Sequence, residues 1–271
     1  MIYLLDFRSS DTGGAVVPGM VVRAPGLGTE QQLRGETSLT FIVHGFNVSR
    51  RSGRESLLRA ATRLSASHPV TYVAVLWPGD HWSRAISYPF EGRDADDTAA
   101  ALTRFIHDVI APGSELSFAS HSLGARVVLG TVKRLHGSYS VSQVVMMAAA
   151  VDDTSVAHPG EYLPAVARAR RVAVLASTRD RVLALAYPVG DLLQSFFFFK
   201  TDREGLALGF HGPRRTASHA IPPHVYHEQI PAARGSDHGH YLPGEPVTAN
   251  QASAMNFARD VLQGALQPRY Q

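Results

Sequence analysis

The 271-residue chain contains no cysteine. That absence removes disulfides, thiolate metal sites, iron–sulfur clusters and cysteine nucleophiles together, so any chemistry must come from oxygen and nitrogen groups. Lysine is nearly absent too, with only Lys133 and Lys200. The 26 basic residues are otherwise arginine and almost balance 23 acidic ones, for a formal net charge of +3. Phosphate tracking needs a basic stripe on one element. The arginine clusters here (Arg50/Arg51/Arg54, Arg168/Arg170/Arg171, Arg214/Arg215) are short and scattered, so no nucleic-acid partner is expected.

Long apolar runs are missing as well. The longest, Val144 to Val151, falls far short of the roughly 20 residues that span a bilayer, and no stable membrane insertion is expected. Met1-Ile2-Tyr3-Leu4-Leu5-Asp6 has neither a basic leader nor a long apolar segment and reads as a first strand, which suits a soluble, cytoplasmic protein. Neither lysine belongs to a G-x-x-x-x-G-K-[ST] loop, and Gly26-Leu27-Gly28 lacks a third glycine at the required spacing, which speaks against nucleotide chemistry.

What is present is a rhythm. At 271 residues and 45% hydrophobic, the chain has enough material for one large domain or two small ones. From about residue 38, short β-rich runs alternate with helical patterns, the signature of βαβ units around a mostly parallel sheet with helices on both faces. Strands are expected at 40–43, 70–76, 116–119, 144–150 and 172–176. Helices are expected after a capping box at Ser52-Gly53-Arg54-Glu55, over 94–110 with three aspartates near its N-terminus, over 123–136 with Gly137 as C-terminal cap, around 163–169 and over 252–262. Beyond residue 186 the pattern weakens, and residues 1–37 carry no identifying signal.

Ser120-His121-Ser122-Leu123-Gly124 lies between a predicted strand and a predicted helix with no residue to spare. Such a sharp turn lifts the central serine above the sheet. It requires small residues two before and two after, so that side chains do not collide. The usual pattern is G-x-S-x-G, with Ser120 here in place of the first glycine. His44-Gly45-Phe46 ends the first buried strand, and a glycine turn there lets a main-chain N–H point at the spot that the N–H after the nucleophile also faces. The oxyanion donors are therefore assigned to Phe46 and Leu123.

These two motifs, their order and the strand–helix pattern resemble the α/β-hydrolase superfamily. Val43-His44-Gly45-Phe46-Asn47-Val48, Leu76-Trp77-Pro78 and Ser120 to Val127 resemble more narrowly a bacterial, esterase-like branch, over roughly residues 38–242. The resemblance implies a nucleophile, an acid after a later strand and a histidine near the end, in that order. With Ser122 as nucleophile, it points to Asp180 as acid, against Asp152 or Asp153 after the preceding strand. For the base it points to His238, which has Tyr241 three residues on, against His240. It implies a carboxylesterase or lipase-like serine hydrolase that takes a small-molecule ester, works through an acyl-enzyme and needs no cofactor or metal. His121 beside the nucleophile is read as structural.

His44, Trp77, Trp82, Tyr88 and Phe90 are assigned to substrate binding, since the aromatics leave a strand at its C-terminal end, where open α/β sheets bind ligands. The chain is read as a single domain, 1–271, with a lid or insertion at about 186–222. Phe196 to Phe199 within it either packs in the core or lines an acyl pocket. Two rivals stand beside this. Six of the 13 histidines (His211, His219, His224, His227, His238, His240) crowd together and are able to ligate zinc in a metal-dependent hydrolase, though no H-E-x-x-H string is present. A hydrolase fold that binds without turnover is the other.

Overall fold

The computed structural model describes residues 1–11, 14–67, 70–79, 88–186 and 206–265. Among these run β1 (Ile2–Arg8), β2 (Val16–Val21), α1 (Glu30–Leu33), β3 (Ser38–Val43), α2 (Arg50–Ser65), β4 (Thr71–Leu76), α3 (Tyr88–Val109), β5 (Glu115–His121), α4 (Gly124–Arg134), β6 (Ser140–Met147), α5 (Leu163–Arg168), β7 (Ala169–Ser177), α6 (Arg181–Ala186), α7 (Leu208–His211), β8 (Val225–Ile230) and α8 (Ala249–Leu262). Eight strands form one sheet in the order β2-β1-β4-β3-β5-β6-β7-β8, and every pairing is parallel except the antiparallel edge pair β1–β2.

Parallel strands covered on both faces need side chains that tolerate burial on both, and β4 (TYVAVL) is buried at every position. Helices α2 and α8 contact each other on one face, while α3, α4 and α5 pack in series on the other. The edge strand β2 lacks a second neighbour and is half-exposed, with Met20 at its rim.

After β3 the chain crosses to β4 on one side, and after β4 it returns to β5 on the other. The carboxyl ends of β3 and β5 therefore flank a topological switch point, where the two outgoing loops diverge and leave a crevice. The register sets Val43 opposite Ser120, so His44-Gly45-Phe46 leaves the sheet directly beside the elbow.

Several local expectations shift. Helix α2 starts one turn earlier than the Ser52 box, because Ser49 caps it by accepting the Ser52 N–H. Helix α3 begins at Tyr88, so Asp94, Asp96 and Asp97 do not lie in a first turn. Asp96 instead accepts from Nε and Nη2 of Arg126 on α4, at 2.9 and 2.6 Å. Gly137 is not a cap, since Leu135 leaves the helix in extended backbone and ends α4 two residues sooner. The capping box Thr248/Gln251 starts α8 at Ala249, before the expected 252. Strands β2 and β8 add to the expected set, each an edge whose side chains are mostly only partly buried and so lack a clean apolar run. Residues 206–222, the second half of the expected insertion, lie against the segment that follows β6 through bonds such as Leu208 N to Val151 O and Ala220 N to His158 O. Phe196 to Phe199 lie outside the described residues.

Candidate active site

Strand β5 runs through His121, and α4 begins at Gly124, so the reversal falls on Ser122 and Leu123. Ser122 has φ of 53°, the left-handed region that a residue with a Cβ enters only when its surroundings impose it. Those surroundings are visible. The Ser122 N–H donates to Met147 O at 3.0 Å, and its carbonyl accepts from Ala125 N at 3.0 Å and Ala150 N at 3.1 Å. The end of β6 thus braces the turn from one side.

From the other side the neighbouring glycines allow contact that no other residue permits. A Cβ on Gly124 would lie 2.5 Å from His44 O and 2.9 Å from Val43 O, so only glycine lets α4 start against the end of β3. A Cβ on Gly45 would meet the Ser122 Cβ at 2.8 Å. The sequence requirement for small residues around the elbow is satisfied in a specific way: Gly124 admits β3, and Ser120, fully buried, turns its hydroxyl to Val145 O.

Asp180 comes three residues beyond β7, and His238 comes in the loop after β8 and a short 3-10 turn at Ala232–Arg234. The fold brings both to Ser122. His238 Nδ1 lies 2.8 Å from Asp180 Oδ2, and His238 Nε2 lies 2.8 Å from Ser122 Oγ. A carboxylate only accepts, which puts the proton on Nδ1 and leaves Nε2 to accept the serine hydroxyl. Asp180 is fully buried and its second oxygen accepts the Leu183 N–H at 3.0 Å, so its orientation is held.

The loop carrying His238 is fixed at several points. Ser177 Oγ donates to Ser236 O, Gln251 Nε2 donates to Gly239 O, and Asp237 Oδ1 accepts the main-chain N–H groups of both His238 and Arg181. Burial raises the Asp237 carboxyl, but those donors and the charge of Arg181 outweigh it and hold it below the usual carboxylate range. These braces have no linear signature, because their partners come from distant segments.

The alternative residues point elsewhere. His240 Nδ1 accepts the Asp237 N–H at 2.9 Å. Asp152 Oδ1 accepts from Thr154 N and Oγ1 and shapes a turn. Asp153 is fully buried against Arg214 Nε at 2.9 Å; burial and the Asp152 charge push its carboxyl up to about 6, against the pull of Arg214. Neither aspartate bonds to His238.

The Leu123 N–H, at the N-terminus of α4, has no hydrogen-bond partner among the described residues, and the developing positive end of the helix faces the same way. Phe46 follows Gly45 in the loop pressed against the elbow, and the next residue, Asn47, donates its N–H to Gly79 O.

His44 and Trp77 correct the substrate-surface assignment. Both are fully buried, their rings stack with centroids 5.7 Å apart, and their polar atoms serve each other: Trp77 Nε1 donates to His44 O at 2.8 Å and Trp77 N donates to His44 Nε2 at 3.3 Å. His44 Nδ1 donates to Gly45 O at 2.7 Å. Burial, and then the nearby Arg8 guanidinium, lowers the His44 imidazole to about 3, so the ring is neutral. The pair is a buried strut at the base of the Gly45–Phe46 loop. Trp82 and the side chains of Tyr88 and Phe90 lie outside the described residues, although Tyr88 and Phe90 fall in α3 and not in a loop.

The histidine cluster disperses. His219 bonds to Thr216, His224 to Val166 O and His227 to Gln229, and no group of three or more His, Asp or Glu converges on a metal-sized site among the described residues. No described helix is long and apolar enough to cross a membrane.

Similar architectures occur among solved structures. The ydeN gene product from B. subtilis is 16% identical, with a TM-score of 0.45 over 84% of this chain and 98% of that one. Esterase B from Lactobacillus rhamnosis is 11% identical (TM-score 0.41; 84% of this chain, 78% of that one), as is carboxyl esterase 2 from the mycorrhizal fungus Tuber melanosporum (TM-score 0.41; 97% and 91%). No curated protein matches the sequence. The family model "Alpha/beta hydrolase of unknown function (DUF900)" matches residues 28–193, which hold the sheet centre, the Gly45–Phe46 loop and the elbow. The chain belongs to this family of α/β hydrolases.

Proposed function

We propose that the protein is a serine hydrolase that cleaves a carboxylic ester of a small molecule through an acyl-enzyme, with Ser122, His238 and Asp180 as its triad. The observation that carries the reading is the unbroken line of two 2.8 Å hydrogen bonds from Asp180 Oδ2 through the His238 ring to Ser122 Oγ. A serine hydroxyl is a poor nucleophile until a base removes its proton as it attacks. His238 Nε2 accepts that proton, and Asp180 holds the tautomer and stabilises the imidazolium that results.

The attacked carbonyl becomes an oxyanion beside the main-chain N–H groups of Leu123 and Phe46. Such preorganised donors act most strongly where charge develops in the transition state. His238 then returns its proton to the leaving alcohol, activates a water in the same way, and the acyl group leaves as a carboxylate. The proposed unit is one domain built on the single sheet, with residues 206–222 packed against it.

A fluorophosphonate probe followed by peptide mapping tests the reading. Labelling at Ser122, with loss of label and of 4-nitrophenyl acetate hydrolysis by about 10³-fold or more in a folded Ser122→Ala protein, is expected. Full hydrolysis by Ser122→Ala, or no labelling of folded wild-type protein, overturns it.

A further inference from the structure

His121 is the last residue of β5 and the immediate neighbour of Ser122. Its Nε2 lies 2.9 Å from the main-chain carbonyl of His238. A carbonyl only accepts, so Nε2 carries the hydrogen and donates it. The ring also packs between two side chains of the same loop, with centroids 4.8 Å from His238 and 5.5 Å from Tyr241. On its far side the bare Cα of Gly45 makes room for it, since a Cβ there would come within 3.0 Å of His121 Nδ1. One side chain thus touches the end of the nucleophile strand, the base loop and the oxyanion loop.

We propose that His121 is a positioning residue, whose Nε2–H holds the His238 main chain at the height that sets His238 Nε2 over Ser122 Oγ. This rests on the reading of His238 as the base. Ser177, Arg181 and Gln251 brace the loop at Ser236, Asp237 and Gly239, and Asp237 Oδ1 takes the His238 N–H from within it, whereas His121 reaches the His238 carbonyl from β5. The choice of histidine also has an electrostatic reason. A lysine or arginine donor would put a permanent cation beside the ring that must become an imidazolium. Desolvation beneath the loop, and then the His238 and His44 rings, hold His121 well below the ordinary histidine range, so it donates while uncharged.

The test compares His121→Phe, which keeps the ring and loses the donor, with His121→Gln, whose amide presents an N–H at the reach of Nε2. The readout is fluorophosphonate labelling of Ser122, resolved into the inactivation rate and the probe's apparent affinity, with Ser122→Ala and His238→Ala alongside. Misplacement of a catalytic group by a fraction of an ångström to an ångström costs up to about a hundredfold. His121→Phe is accordingly expected to lose about tenfold to a hundredfold in inactivation rate with little change in affinity, and His121→Gln to recover most of it.

If His238→Ala labels at the wild-type rate, the base reading itself fails. If His238→Ala is inert but folded His121→Phe labels at the wild-type rate, or His121→Gln is as slow as His121→Phe, the positioning role alone is overturned. Should His121→Phe not fold, the wild-type ring decides through its nitrogen-15 resonances, identified by their absence in His121→Gln. A neutral ring protonated at Nε2 at pH 7 supports the proposal; an Nδ1–H tautomer or a charged ring refutes it.

Discussion

Asp180 and Asp153 are both buried carboxylates beyond the ends of neighbouring central strands, yet their partners differ completely. Asp180 accepts from an imidazole and a main-chain N–H, while Asp153 faces one guanidinium and is pushed up by burial. The two are therefore separable by experiment. Asp180→Asn leaves the size of the side chain but favours the wrong His238 tautomer, and is expected to lower kcat for 4-nitrophenyl acetate by about 10³–10⁴-fold. Asp153→Asn should change kcat little and show its effect in thermal stability instead. A kcat loss in Asp153→Asn as large as in Asp180→Asn is the result that would reverse the assignment.

Among the secondary-structure elements, the decisive contact is the start of α4 against the end of β3. Helix propensity alone favours alanine over glycine, so Gly124→Ala would stabilise a free helix by up to about 1 kcal/mol. Here the new Cβ would meet the backbone oxygens of His44 and Val43 at 2.5 and 2.9 Å, and backbone cannot swing aside as a side chain tip does. The expected outcome is destabilisation by about 1–3 kcal/mol in urea unfolding, with 4-nitrophenyl acetate hydrolysis lost more steeply because α4 carries Leu123, the proposed oxyanion donor, away from Ser122. Unchanged stability in Gly124→Ala would mean the two elements are not in contact.

For the molecule as a whole, the consequence of burying neutral histidines is acid sensitivity. His44 titrates at about 3 in the fold against 6.5 in an unfolded chain, so between these values the unfolded state binds more protons than the folded one. A depressed histidine leaves stability intact above pH 6.5 and removes it as pH falls toward 3. At pH 4.5 the loss from His44 is about 2–3 kcal/mol. His121, His107 and His227 are lowered too and act in the same direction, while Asp153, raised to about 6, loses stability as pH rises from about 4 to about 6 and offsets part of the sum. Comparing wild type with His44→Gln isolates one contribution: the gap between their urea stabilities should narrow by about 2–3 kcal/mol on going from pH 7 to pH 4.5. A gap independent of pH would refute the neutral, buried His44.

How much of this was readable beforehand follows from the range over which each property acts. Burial on both faces imposes continuous apolar runs, so the central strands β3, β4, β5, β6 and β7 announced themselves, and the steric demands of a strand-to-helix reversal put small residues around Ser122 within five positions. The edge strands β2 and β8 face solvent on part of their surface and left no such trace. Which aspartate and which histidine meet the serine is a matter of long-range geometry: His238 lies 58 residues from Asp180 and 116 from Ser122, and the neighbouring His240 differs from it only in the direction its ring takes in the loop. Likewise His44 and Trp77, 33 residues apart, looked like ligand contacts at a strand end until the parallel pairing of β3 and β4 set them side by side and sealed them inside. Amino-acid order alone carried the fold class and the elbow, because both rest on local periodicity and local sterics. Strand order and register chose the partners, because only they bring distant segments within hydrogen-bonding reach.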